Sequence, residues 1–314
     1  MSIIVQIFLL VVGFAMLVKG ADWFVEGAAG IADCFGIPQI IIGLTIVAFG
    51  TSAPEAAISI SAAIKGSAEL TIGNVVGSNI MNILLILGIT ALIKPLSIQK
   101  NTLKYEIPFV VVVTVLLLGL GVAGHSVGRI DGAIFWVFMI LFLAYLFRMA
   151  KSGDMPMEDL PEDSKKDSIG KLLFLTAIGM GLIVWGSDVT VDSASSIAKA
   201  FGMSERLIGL TIVAFGTSLP ELITSVTAGI KGKTDIAIGN IVGSNIFNIL
   251  FVVGTAALII PISFASNFVY DTIMAIVAAV ILFICVVKDR TLKRSGGIFM
   301  LAVYAVYFVY LTLF

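Results

Sequence analysis

Two glutamates, Glu55 and Glu221, lie in runs that are otherwise apolar, and each ends the pattern Phe-Gly-Thr-Ser-x-Pro-Glu. The proline removes a backbone N–H from a helix and displaces the carbonyl four residues earlier, here that of Gly50 or Gly216. In a membrane, such a carbonyl survives only where it is buried in protein or lines a cavity. Freed carbonyls, adjacent hydroxyls and a carboxylate form an all-oxygen set, which suits hard cations such as Na⁺ or Ca²⁺. The pattern therefore predicts a cation site at each break.

Each feature of this pattern also has a simpler explanation. The hydroxyls of Thr51 and Ser52, taken alone, are typical of hydrogen bonds between membrane helices. A glutamate inside a span can form a salt bridge with a basic residue in the membrane. Lys19 is the only basic residue well inside a span, and the equivalent position in the second half is Trp185. Since one lysine cannot neutralise two equivalent glutamates, we favour the ion-site interpretation for both.

A second polar pattern, Gly-Asn-x-Val-Gly-Ser-Asn-Ile-x-Asn, occurs at residues 73–82 and again at 239–248. Its two glycines, four residues apart, favour close helix packing but are a weak signal alone. Its serine and last asparagine are also four apart and share one helix face. That face, opposite a broken acidic helix, predicts four further ligands: Ser78, Asn82, Ser244 and Asn248. The other asparagines are expected to bond between helices: Asn74, Asn79, Asn240 and Asn245.

Both patterns belong to one repeated stretch, residues 43–82 and 209–248. Each position in the second copy lies 166 residues after its partner, and 26 of the 40 positions are identical without a gap. The repeat predicts two five-helix units, at 1–150 and 169–314, separated by an acidic linker at 151–168. Because five is odd, the second unit must enter the membrane from the opposite side, which makes the repeats inverted.

The composition is that of a membrane protein, because only 12% of the residues are charged, about half the share in soluble domains. Ten hydrophobic segments can be marked, roughly at 3–30, 38–64, 70–95, 104–124, 130–150, 169–198, 205–230, 236–262, 267–288 and 296–314. We therefore predict an all-α polytopic membrane protein with ten transmembrane helices, arranged as two inverted repeats in which helices 2 and 7 are broken.

The distribution of lysine and arginine predicts the orientation. Fourteen of these residues lie in loops on the side of the linker and four in loops on the side of the termini. The protein is therefore expected in the cytoplasmic (inner) membrane. Its linker would lie in the cytoplasm, and both termini would lie on the extracytoplasmic side. The net charge of −1 gives no indication of a nucleic-acid partner. The sequence also indicates no cofactor and no obligatory protein partner.

Two other classes of membrane protein fit less well. A hydrolase would need a base beside Ser52 or Ser218, but the only histidine, His125, falls in a loop and has no repeat partner. A channel normally carries rings of acidic residues along a continuous pore. Two broken helices in inverted repeats instead favour a transporter that is not an enzyme.

The paired patterns resemble the two α-repeats of the sodium/calcium exchangers, in the cation/calcium exchanger superfamily. The resemblance covers essentially the whole chain, and the short linker is most similar to that of compact prokaryotic members. It implies a secondary active antiporter that exchanges Na⁺ for Ca²⁺ by alternating access, with the cations bound near the midplane between the repeats. Proton/calcium exchange and potassium-dependent sodium/calcium exchange remain as alternatives.

The resemblance also implies roles for the residues around each break. Glu55 and Glu221 would be the central carboxylates, and with Thr51 and Thr217 they would hold the divalent metal. Hydroxyl or carbonyl oxygens would come from both Thr-Ser pairs: Thr51, Ser52, Thr217 and Ser218. Backbone carbonyls would come from two alanines: Ala48 and Ala214.

In the second pattern, the resemblance implies that Ser78 and Ser244 complete the outer sodium sites and that Asn82 lies at the centre. Asn248 departs from the family pattern, because many relatives, including the potassium-dependent exchangers, carry aspartate there. The asparagine weakens the case for potassium dependence and leaves the site with a formal charge of −2.

Overall fold

The computed structural model describes residues 3–64, 69–152, 168–202 and 214–313, which are almost entirely helical. The helices are α1 (Ile3–Phe35), α2 (Gln39–Thr51), α3 (Ala53–Ile64), α4 (Leu70–Ile93), α5 (Thr102–Gly124), α6 (Arg129–Ser152), α7 (Ile169–Ala200), α8 (Ala214–Thr217), α9 (Leu219–Ile230), α10 (Thr234–Ile259), α11 (Ser266–Val287) and α12 (Arg294–Leu313). Four short strands lie between them: β1 (Leu96–Ser97), β2 (Ser126–Val127), β3 (Ile262–Ser263) and β4 (Thr291–Leu292).

Among the described residues, eight helices are long and apolar enough to cross a membrane. A ninth span results if α2 and α3, which are bent by 51° at their junction, are taken together. The predicted helical, polytopic fold is thus confirmed. The predicted segment at 205–230 is represented by α8 and α9 alone, since its first residues and most of the 151–168 linker lie outside the described ranges. The count of ten spans stays a prediction.

Two pairs of short strands join the halves of the chain. In one pair, β1 and β4 are antiparallel and Leu96 lies beside Leu292. In the other, β2 and β3 are antiparallel and Val127 lies beside Ile262. Each pair contains one strand from each half. The 166-residue offset places β1 on β3, and it places β2 within one residue of β4. Reciprocal contacts of this kind are expected from two inverted copies of one unit.

The helices α1 and α7, one from each half, pack along a seam of glycines. A Cβ added at Gly20 would lie 2.8 Å from the carbonyl oxygen of Gly179, and one at Gly186 would lie 3.0 Å from that of Gly13. The two backbones are therefore in direct contact. With 33 and 32 residues, both helices exceed the ~20 residues that cross a bilayer, so we expect both to be tilted.

The helices α4 and α10 occupy the centre of the molecule, and each contains a π-helical stretch. These stretches are Met81–Leu87 and Asn248–Val253. The wider turn changes which residues face a neighbour, and π-helical turns occur frequently at functional sites. Asn82 and Asn248, both predicted from the sequence as ligands, lie in these stretches.

Candidate functional site

Each broken span turns at a serine. Ser52 has φ −84° and ψ 5° between α2 and α3, and Ser218 has φ −94° and ψ 7° between α8 and α9. Proline is tolerated just after such a turn, because the first N–H groups of a helix have no partner inside it. Glu55 and Glu221 lie in the first turns of α3 and α9. The partial positive charge at these helix starts stabilises a carboxylate there.

The two turn serines form hydrogen bonds across the interface between the halves. The Oγ of Ser52 donates to Oε1 of Glu221 at 2.7 Å, and the Oγ of Ser218 donates to Oε1 of Glu55 at 3.3 Å. A serine in Ser-x-x-Glu usually caps its own helix, but the side chain of Ser218 makes no such bond. Each hydroxyl instead holds the carboxylate of the other half, so the repeats form one shared cluster.

Among the described residues, the second oxygen of each glutamate, Oε2, is buried without a hydrogen-bond partner. Glu55 is 1% exposed and Glu221 is fully buried, and each accepts a hydrogen bond from the serine that lies three residues before the other glutamate. In the same part of the chain, three more buried oxygens of predicted ligands have no partner: Oδ1 of Asn82, Oδ1 of Asn248 and Oγ of Ser244. Buried charge without a counter-charge is strongly unfavourable. This donor set therefore fits a hard cation, which would neutralise the carboxylates.

Removing a turn hydroxyl should weaken cation binding without abolishing it. We expect Ser52→Ala to lower Ca²⁺ affinity at least about 10-fold, because a hydrogen bond to a charged group contributes about 1.5–3 kcal/mol. Ser218→Ala should have a smaller effect, since its hydrogen bond is longer. Equilibrium ⁴⁵Ca²⁺ binding to purified protein measures both, with Thr114→Val as a control whose hydroxyl bonds only within α5. Equal affinity in wild type and Ser52→Ala would contradict the assignment.

Four asparagines form a reciprocal network between α4 and α10, which we call the asparagine layer (Asn79, Asn82, Asn245 and Asn248). The Nδ2 of Asn79 donates to the backbone carbonyl of Asn245 at 3.1 Å, and the reverse bond measures 3.4 Å. The Nδ2 of Asn82 donates to Oδ1 of Asn245, and that of Asn248 to Oδ1 of Asn79, both at 3.1 Å. All four residues are buried. The predicted interhelical bonding of Asn79 and Asn245 is confirmed.

The other two asparagines also bond between helices, and each donates its Nδ2 to a serine of its own half. The Nδ2 of Asn74 donates to Ser59 Oγ, and that of Asn240 donates to Ser225 Oγ, both at 2.9 Å. Thr51 Oγ1 donates to Oδ1 of Asn240 at 2.9 Å, which ties the first break to α10. We did not identify the two serines from the sequence, although each lies four residues after a glutamate and so shares its helix face.

The remaining predicted ligands lie on α2, α4 and α8. The carbonyl oxygen of Ala48 accepts the backbone N–H of Ser52 at 3.0 Å, and the Oγ1 of Thr51 lies 3.4 Å from the same oxygen. Ser78 is 5% exposed. Thr217 is partly buried at the end of α8, and Ala214 begins that helix.

The second break is also held by α7. The Oγ of Ser187 donates to the carbonyl oxygen of Gly216 at 2.9 Å. The sequence predicts that Pro220 frees this carbonyl for a cation, but α7 supplies a partner for it. The contact links the break that carries one glutamate to the helix that packs against α1.

A cavity of about 890 Å³ approaches the cluster from the end of the molecule that carries both termini. It is lined by the first turns of α1 and the last turns of α12, and it reaches Asn74 and Ser78 of α4. The equivalent residues of the second half, Asn240 and Ser244, are completely buried. Among the described residues, this cavity therefore reaches the first copy of the pattern, whereas these two residues of the second copy are buried.

The opposite end of α1 carries an ion-pair network with the end of α9. Lys231 Nζ lies 2.7 Å from Oδ1 of Asp22 and 3.8 Å from Oε2 of Glu26. The side chain of Lys19 is 57% exposed and also pairs with Asp22, at 3.1 Å. Lys19 therefore lies on the surface of the protein and does not neutralise the buried glutamates.

Comparisons with known proteins identify the family. The sequence profile described as sodium/calcium exchanger protein matches residues 5–149 and 171–313. The putative antiporter CaxA of Alkalimonas amylolytica is 40% identical over 314 residues, which cover 97% of this chain and 98% of that protein. The sodium/calcium exchanger MaX1 of Methanosarcina acetivorans is 31% identical over 351 residues, which cover 98% and 99%.

The fold is also similar to a solved structure. The sodium-calcium exchanger NCX_Mj, soaked with zero Na⁺ and Ca²⁺, superposes with a TM-score of 0.87 at 29% sequence identity, covering 99% of this chain and 100% of that one. The two segments that match the family profile each contain one copy of the repeated stretch. On the sequence match over both halves, this chain belongs to the sodium/calcium exchanger protein family.

Proposed function

We propose that this protein exchanges Na⁺ for Ca²⁺ across a membrane, and that both ions bind where Glu55 and Glu221 meet. The observation that carries this proposal is the reciprocal pairing of each carboxylate with a serine of the other half. Each carboxylate also keeps a buried oxygen without a partner. Membership of the exchanger family supports the same function. The ions are the substrates, and the protein acts as a transporter without a catalytic cofactor.

The proposal includes further ligands besides the two glutamates. Hydroxyl, amide and carbonyl oxygens would come from ten residues: Thr51, Ser52, Thr217, Ser218, Ser78, Ser244, Asn82, Asn248, Ala48 and Ala214. Among the described residues, those with a buried oxygen that lacks a hydrogen-bond partner are the strongest candidates: Asn82, Asn248 and Ser244. Carboxylate and neutral oxygen ligands together suit both Na⁺ and Ca²⁺.

Charge balance gives a physical cause for coupled exchange. Two ionised carboxylates near the middle of a membrane repel one another and are costly to enclose without a counter-ion. One Ca²⁺ cancels their charge of −2, and two or more Na⁺ also do so. An unloaded site therefore resists closure, whereas a loaded site closes and reopens on the other side. Transport of Ca²⁺ in one direction then requires Na⁺ in the other.

The cavity beside the first repeat supports alternating access between two pseudo-equivalent pathways. It reaches Asn74 and Ser78 on the side of the termini, which is the open side in this proposal, whereas the equivalent residues Asn240 and Ser244 are buried. With the orientation predicted from basic residues, the open side is extracytoplasmic and the 151–168 linker lies in the cytoplasm. The glycine seam between α1 and α7 would allow these helices to slide past the central helices.

Flux into proteoliposomes tests this function. We expect ⁴⁵Ca²⁺ uptake into Na⁺-loaded vesicles diluted into Na⁺-free buffer, and no uptake when choline replaces the internal Na⁺. Uptake driven by a pH gradient without Na⁺ would replace Na⁺ by H⁺ as the coupling ion. A requirement for K⁺ would identify potassium-dependent exchange. No Ca²⁺ flux under any of these gradients would contradict the proposal.

A further inference from the structure

The orientation of the asparagine layer follows from two backbone carbonyls. A backbone carbonyl can only accept a hydrogen bond. Because the Nδ2 of Asn79 donates to the carbonyl of Asn245, its Oδ1 is the atom left to face Asn248. By the same argument, Asn245 donates to the carbonyl of Asn79 and turns its Oδ1 toward Asn82. The side-chain amides of Asn79 and Asn245, which we call the outer amides, therefore each have one allowed orientation.

The orientation of Asn79 and Asn245 in turn determines the orientation of the two inner amides, Asn82 and Asn248. Asn82 and Asn248 must present Nδ2 to the outer amides, since an oxygen facing an oxygen would be repulsive. Their Oδ1 atoms then point away from the layer, and both are buried without a partner, as are the Oε2 atoms of Glu55 and Glu221. A reversed amide would instead present N–H groups, which repel a cation.

We propose that Asn79 and Asn245 are positioning residues, which hold the amide oxygens of Asn248 and Asn82 toward the cations. The proposal rests on the proposed exchange function and deepens its site, because it adds two residues that touch no ion. Each acts through a defined partner in the other half, Asn79 through Asn248 and Asn245 through Asn82. Both inner residues are amides in this chain, and an amide, unlike a carboxylate, has a reversed orientation that must be excluded.

The pairing predicts a specific pattern of coupling in double-mutant cycles. Asn79→Ala is expected to lower Ca²⁺ affinity about 10-fold or more, which is typical when a residue that orients a metal ligand is lost. Once Asn248→Ala has removed the ligand, adding Asn79→Ala should lower affinity no more than about 2-fold further. Asn79→Ala and Asn82→Ala should combine more nearly multiplicatively, because Asn82 is oriented by Asn245. Equilibrium ⁴⁵Ca²⁺ binding and a thermal melt of each variant provide the measurements.

Equal coupling of Asn79 to Asn82 and to Asn248 would overturn the proposal, because general loosening of the helices predicts that result. If the alanine variants do not fold, Asn79→Gln and Asn79→Met, which are similar in size to each other, replace them. Glutamine keeps an amide acceptor for Asn248 without adding a charge and should bind Ca²⁺ at least about 10-fold more tightly than methionine. Equal affinity of these two variants would also overturn it. Failure of the wild type to bind Ca²⁺ would instead contradict the proposed function, so the two failures are distinguishable.

Discussion

Glu55→Gln and Glu221→Gln are each expected to lower Na⁺-driven Ca²⁺ uptake at least about 100-fold. Removing one partner of a buried ion pair, here a carboxylate that faces bound Ca²⁺, typically costs about 3–5 kcal/mol, and glutamine keeps the shape of the side chain while it removes the charge. Either substitution reduces the charge of the cluster from −2 to −1, so that it no longer balances one Ca²⁺. The measurement is the initial rate of ⁴⁵Ca²⁺ uptake into Na⁺-loaded proteoliposomes.

Glu106→Gln provides a matched control for both variants. Glu106 is also a buried glutamate, 1% exposed, but it lies in α5 and accepts a hydrogen bond from the hydroxyl of Tyr145. Glutamine can accept the same bond, so uptake should stay within about 3-fold of wild type, as expected where no charge-dependent role is lost. Wild-type uptake in either Glu55→Gln or Glu221→Gln would contradict the assignment of both carboxylates.

A larger side chain in the glycine seam should lower transport without removing a proposed ligand. We expect Gly179→Val to lower uptake at least about 10-fold, because even its Cβ would lie 2.6 Å from the backbone nitrogen of Phe24 and overpacking costs about 1–3 kcal/mol. Gly179 is not one of the proposed ligands, so Ca²⁺ binding to folded protein should persist. The comparison of flux with equilibrium binding separates a blocked transporter from a damaged site.

The control for the seam is Gly181→Val on the same helix. A Cβ at Gly181 meets no atom within 4 Å, so this variant carries the same loss of glycine without a clash between α1 and α7. Its uptake should match wild type. If Gly179→Val transports normally and remains folded, direct contact between the two backbones is not required for the transport cycle.

The sequence was sufficient to predict the fold and the main candidates because both depend on one-dimensional patterns. Apolar segments, the odd number of spans in each half and the 166-residue offset predict an inverted arrangement. A proline beside an acid inside an apolar run predicts a broken helix. The observed bend between α2 and α3, the turns at Ser52 and Ser218, and the reciprocal strand pairs agree with these predictions.

Contacts that depend on side-chain direction were not predictable. Ser-x-x-Glu suggests a serine that caps its own helix, yet each serine bonds the glutamate of the other half. The partner of the Gly216 carbonyl is on α7, which no local pattern indicates. The difference between the copies was not predictable either, because near-identical repeats predict equivalent environments, whereas in the described residues a cavity reaches Asn74 and Ser78 while Asn240 and Ser244 are buried.

The central claim is that one glutamate from each half contributes to a single shared site. Equilibrium ⁴⁵Ca²⁺ binding to purified wild type, Glu55→Gln and Glu221→Gln tests it most directly. We expect one Ca²⁺ per chain in the wild type, displaced by Na⁺, and no measurable binding in either variant over the same concentration range. Two Ca²⁺ per chain in the wild type, with one retained in each single variant, would show two independent sites and contradict the shared one.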